Sequence, residues 1–145
     1  MPAGWAYFDT SALAKRYVRE AGSGRARGLL RRHRFLSSVI APLELTSAFT
    51  RRHAAGELSD RHFQAMLLRV QADRAYWELV EVTPLVLTQA EDLVRTTGLR
   101  ALDAIHVGSA LAFQNSSGLR LPFITADSQQ RKAAEQVGLD VVWVG

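Results

Sequence analysis

The sequence predicts an α/β protein, a parallel sheet with helices on both faces. Two observations carry this. Short apolar runs alternate with stretches of helical period from one end of the 145-residue chain to the other. The short runs are also apolar nearly throughout, as strands covered on both faces must be.

The elements follow in order. Trp5 to Phe8 reads as the first strand and ends at Asp9. Leu13, Tyr17 and Val18 recur at helical spacing, so a helix is expected over Ser11 to Glu20, stopped by Gly22, Ser23 and Gly24. A second helix is expected over Ala26 to Arg32 and a second strand over Phe35 to Ile40. Pro42 has a backbone suited to a first helical turn and opens a helix that reaches Ala55 before Gly56 breaks it. Ser59 is an expected N-cap for a helix from Asp60 to Tyr76, with Phe63, Met66, Leu67 and Val70 on one side. Leu79 to Val82 reads as the third strand. Pro84 to Thr97 is expected to be helical, with Leu87, Ala90, Leu93 and Val94 inward and Gly98 at its end. A helix over Asp103 to Gln114 should place Leu102, Ile105, Ala110 and Leu111 in the core, before a turn over Asn115 to Gly118. Pro122 to Thr125 is the fourth expected strand, Arg131 to Val137 the last helix, closed by Gly138, and Val141 to Val144 the last strand. Without repeats or linker-like stretches, residues 1–145 are expected to form one domain.

Composition narrows the function. There is no cysteine, which excludes a disulfide scaffold and a zinc–thiolate centre. No apolar run approaches the ~20 residues of a membrane span, and the start does not read as a secretory leader, so a cytoplasmic protein without a membrane partner is expected. Net charge is +4, and all but two of the 18 basic residues are arginine. Guanidinium forks match phosphate oxygens in pairs, which points toward a phosphate-rich partner, although arginine also serves as a generic surface residue.

The acids are better placed than they are numerous. Asp9 and Asp127 each close or follow an expected strand, at the edge where open α/β sheets bind ligands. Glu44 falls in the first turns of a helix just after the second strand, and Asp103 opens another just before the fourth. Singly, each has an ordinary reading: a turn former, an N-cap, or a complement to a helix dipole. Together they need a partner, because no Lys or Arg lies in the strand-end segments. Two unit charges ~5 Å apart repel by roughly 3 kcal/mol at an effective dielectric of ~20. Oxygen-only ligands favour Mg²⁺ or Mn²⁺. His33, His53, His62 and His106 are dispersed, and His106 is expected to pack or hydrogen-bond rather than ligate. Trp5, Trp77 and Trp143 are expected in core packing rather than base stacking.

The segments YFDTSALAKRYV, PLELTSAFTRR, LRALDAIHVGSAL and FITADSQQRKAAEQVGLDVV, in this order, resemble a PIN domain, and more narrowly the VapC toxins of type II toxin–antitoxin pairs. The resemblance runs from Trp5 to Val144. It implies a three-layer α/β/α fold with a parallel five-stranded sheet in the order 3-2-1-4-5. It implies that Asp9, Glu44, Asp103 and Asp127 are the acidic catalytic and metal-binding quartet, with Asp9 and Asp103 the principal Mg²⁺ ligands. Thr125 matches a supporting hydroxyl, and Thr10 or Ser11 would orient water or Asp9. Ser128 and Gln129 stand where some relatives carry a further acid, which leaves one or two metal ions open. A VapB-like antitoxin, a homodimer and an RNA substrate cut to 5′-phosphate and 3′-hydroxyl ends are likewise implied.

The expected function is thus a Mg²⁺-dependent endoribonuclease, with Lys15, Arg16, Arg51 and Arg52 as candidate RNA or antitoxin contacts. The four acids carry −4, so the rest of the chain carries +8, an acidic pit in a basic surround. Two other readings remain. One is a non-catalytic RNA-binding module. The other is an aspartate-based phosphohydrolase, against which Ser11 stands where a D-x-D motif needs its second acid.

Overall fold

The computed structural model describes residues 4–145. Residues 1–3, where the stretch read for a leader begins, lie outside the described residues. Five strands, β1 (Trp5–Phe8), β2 (Arg34–Ser38), β3 (Glu78–Val80), β4 (Pro122–Thr125) and β5 (Asp140–Trp143), form one sheet. Every pairing is parallel and the order is β3-β2-β1-β4-β5, as expected. The chain runs outward from β1 to β3, then returns to the other side of β1 for β4 and β5. The switch point therefore lies between β1 and β4, where Tyr7 pairs with Phe123 and Phe8 with Ile124.

Seven helices cover the sheet: α1 (Thr10–Ala14), α2 (Ser23–Arg32), α3 (Ala41–Ala54), α4 (Asp60–Arg74), α5 (Pro84–Thr97), α6 (Ala101–Ser117) and α7 (Ser128–Gln136). Strand side chains alternate between the two covers. Ala6, Phe8 and Ile124 pack with Ala12 of α1 and Ala26 and Leu29 of α2. Tyr7, Leu36 and Phe123 pack with α5, α6 and α7. A third cluster, of Leu13, Tyr17, Leu45, Phe49, Met66 and Val70, joins α1 to α3 and α4. Phe8, Phe49 and Phe123 are buried, and each contributes roughly 1.5–3 kcal/mol. No helix of the described residues is long and apolar enough to cross a membrane.

Several expected boundaries are corrected. The first helix stops at Ala14 rather than Glu20. From Lys15 onward the amides reach back three residues, Lys15 to Ala12 and Arg16 to Leu13, which tightens and ends the turn. The helix α6 runs on to Ser117, and Gly118, in the left-handed region, caps it on the Gln114 carbonyl. The helix α7 begins at Ser128 because the Asp127 side chain caps the Gln129 and Gln130 amides. Leu87, Val94 and Leu102 are exposed rather than in the core, and the inward row of α5 is Val86, Ala90 and Leu93. That row faces Gly108 of α6, where an added Cβ would stand 3.3 Å from the Val86 carbonyl oxygen. The missing side chain sets the approach of the two helices.

Candidate metal-binding acidic site

The site is assembled at the C-terminal ends of the strands. Where β1 ends, Asp9 adopts extended backbone and caps α1, so its carboxylate turns back over the helix start. Its Oδ1 accepts the Ala12 amide at 2.9 Å and the Ser11 hydroxyl at 2.7 Å, and its Oδ2 accepts the Thr125 hydroxyl. Asp9 is 0% exposed. An ordinary capping aspartate meets solvent, so full burial sets this one apart. Burial pushes its pKa up, against the opposing pull of His106, Thr125, Ser11 and the Ala12 amide.

Next door, β4 ends at Thr125, and Ala126 leads to Asp127, whose Oδ1 accepts the Gln129 and Gln130 amides at 2.8 and 2.9 Å. The two strand ends are tied together. The Asp9 amide donates to the Ile124 carbonyl at 3.1 Å, and the Ala126 amide to Ser11 Oγ at 2.9 Å. Glu44 enters from the first turn of α3, and its Oε1 meets Thr10 Oγ1 at 2.6 Å and His106 Nε2 at 2.6 Å. Burial raises the Glu44 pKa, but the hydrogen bonds from His106 and the Thr10 hydroxyl bring it net below the usual range. Asp103 enters from the first turn of α6 and accepts Gln130 Nε2 at 3.0 Å. Its pKa is raised, first by burial, then by the charge of Asp127, with Glu44 adding to it. Thr125 links Asp9 to the Asp127 amide, Gln130 links Asp127 to Asp103, and Asp103 feels the charge of Glu44.

The hydroxyls singled out in the sequence lie inside this network: Thr10 on Glu44, Ser11 and Thr125 on Asp9. The basic residues divide. Lys15 is withdrawn from any RNA or partner role, because it is 5% exposed and its ammonium is spent on the Ala21 carbonyl and Glu20. Arg16 pairs with Asp73 at 2.9 Å, and Arg52 with Glu20 at 3.3 Å. Arg51 is exposed, rests on Ser47 at 2.9 Å and shares a groove with Glu44, Leu43 and Leu102. Gln130 and Tyr7 were not singled out by sequence. Gln130 follows Asp127 by three residues, and His106 follows Asp103 by three, so helical spacing alone aligns each with its acid.

The donor set suits a hard divalent cation. Among the described residues no Lys or Arg forms an ion pair with any of the four acids. Glu44 Oε2, Asp103 Oδ2 and Asp127 Oδ2 accept no protein hydrogen bond there. Gln130 Oε1 is buried beside Asp103 and Asp127 with no donor, an acceptor that a cation's hydration water would satisfy. Among the described residues no three His, Asp or Glu groups stand close enough to hold an ion as they are. The acids thus share a neighbourhood rather than a finished coordination shell.

The sequence pattern of the PIN domain matches residues 6–136. PIN domains are generally nucleases and generally use divalent metals. Among curated proteins none matches the chain. A solved structure described as "Toxin-antitoxin complex from Klebsiella pneumoniae" is similar in fold, with a TM-score of 0.68, 16% identity, and 97% of this chain and 98% of that chain covered.

Proposed function

Because this chain belongs to the PIN-domain family, we propose that it is a Mg²⁺-dependent endoribonuclease, and the toxin of a VapBC-type pair. What supports the reading is that Asp9 and Asp127 follow the two strands at the switch point, Glu44 and Asp103 open neighbouring helices, and none of the four has a guanidinium or ammonium partner among the described residues. Asp9, Glu44, Asp103 and Asp127 would hold the ion. A bound Mg²⁺ or Mn²⁺ would supply positive charge against the phosphodiester transition state and acidify the attacking water.

The chain's own groups do the rest. Ser11, Thr125 and the Ala12 amide fix Asp9, so a charged group is oriented before substrate arrives. Gln130 holds one oxygen of Asp103 and leaves the other free. Glu44 or Asp127, each with an unengaged oxygen, accepts the proton of the attacking water. Arg51 lies in the groove shared with Glu44, within reach of backbone phosphates beside the cut. The fold likeness to a chain of a toxin–antitoxin complex supports an antitoxin partner. One domain, a homodimer and a cytoplasmic setting complete the proposal.

The test is to incubate total cellular RNA with wild type, Asp9→Asn and Asp103→Asn and map the new 5′ ends. Discrete cuts are expected with wild type and Mg²⁺ alone, and none with either variant although both remain folded. Cleavage undiminished in EDTA would overturn the proposal.

A further inference from the structure

His106 lies one turn beyond Asp103 on α6 and is fully buried. Its Nδ1 meets the Tyr7 hydroxyl at 2.8 Å. Its Nε2 meets Glu44 Oε1 at 2.6 Å and Thr10 Oγ1 at 3.0 Å. The protons can be counted. An ionised Glu44 only accepts. Thr10 spends its one hydroxyl proton on Glu44 Oε1, so its oxygen can only accept from the imidazole. Nε2 must therefore carry hydrogen. The Tyr7 hydroxyl hydrogen has no other acceptor in the described hydrogen bonding, so Tyr7 donates it to Nδ1, which accepts. One tautomer satisfies every partner in a line running from β1 through α6 to α3.

We propose that His106 is a positioning residue for Glu44, with Tyr7 selecting the ring tautomer that donates to Oε1 and leaves Oε2 as the free oxygen of the acidic site. This rests on the reading that the acids hold a divalent cation. Glu44 has three rotatable side-chain bonds and a half-buried position, so without Thr10 and His106 nothing in the described hydrogen bonding would fix it. The arrangement orients a ligand through its neighbour, and loss of such a neighbour typically costs ~10–100-fold in metal affinity.

The experiment measures Mn²⁺ affinity by the paramagnetic resonance signal of free Mn²⁺, with thermal melting as the check on folding. His106→Gln keeps a donor near the Nε2 position, whereas His106→Asn reaches only the Nδ1 position. The expected result is affinity within roughly threefold of wild type for Gln and a loss of ~10–100-fold for Asn. The loss should disappear when His106→Asn is placed in a Glu44→Gln background, since the effect passes through Glu44. Tyr7→Phe removes only a hydroxyl and serves if His106→Asn does not fold. It should weaken Mn²⁺ binding in wild type and not in Glu44→Gln. Equal losses for the Gln and Asn variants, or losses undiminished in the Glu44→Gln background, would overturn the proposal. A wild-type chain that binds no Mn²⁺ would remove the metal reading and this inference with it.

Discussion

Asp9 is wholly buried, and its carboxyl is pushed above its ordinary range chiefly by that burial, as is Asp103 by burial and the charge of Asp127. A raised native pKa means that the folded state binds the proton more tightly than the unfolded one. Stability then falls as pH rises past the ordinary carboxyl value of about 3.9. In metal-free buffer, Asp9→Asn and Asp103→Asn should therefore melt above wild type at pH 7, with the gap closing as pH falls from the raised native values toward about 4. Melting below wild type at pH 7 would show that the acids are structural. Lys15 gives the opposite case. Lys15→Ala strips a buried donor from the Ala21 carbonyl and should cost about 1–3 kcal/mol by denaturant titration, with RNA affinity unchanged. All four acids were legible because each sits at a segment boundary with apolar neighbours. Their partners were not, because His106, Tyr7 and Glu44 meet across 99 and 62 residues of chain. Lys15 was misread for a related reason: its burial depends on the Glu20–Ala21 turn folding back over it.

At the scale of elements, strand and helix order was legible from apolar runs and from Pro and Gly punctuation, and Pro84, Gly98 and Ser59 act as read. The errors have physical causes. Leu13, Tyr17 and Val18 repeat at helical spacing, yet the helix ends before Tyr17, which is held by the cluster with α3 and α4. The apolar stripe of α5 is wider than the face that α6 covers, so periodicity alone could not separate Val86 from Leu87. Gly22, read as a helix stop, has φ +82 and begins α2. A Cβ there would fall 1.8 Å from the Val144 carbonyl oxygen just beyond β5. Gly22→Ala should therefore destabilise by more than the ~1 kcal/mol of the backbone conformation alone. Unaltered unfolding in urea would contradict that close approach.

Across the whole molecule, a chain of net positive charge holds four acids that no Lys or Arg pairs with among the described residues. Under the proposed function, that arrangement would draw in a polyanion and reserve its centre for a cation. RNA binding by the Asp9→Asn chain should weaken linearly in log–log form as salt rises, with a shallower slope for Arg51→Ala in the same background, by filter binding. The central claim is that the four acids form a divalent-metal site. Crystals grown with Mn²⁺ and measured for its anomalous scattering test this directly. The account predicts a peak bonded to oxygens of Asp9 and Asp103 at about 2.0–2.3 Å, lost in Asp103→Asn. Active protein saturated with Mn²⁺ but showing no peak among these acids would contradict it.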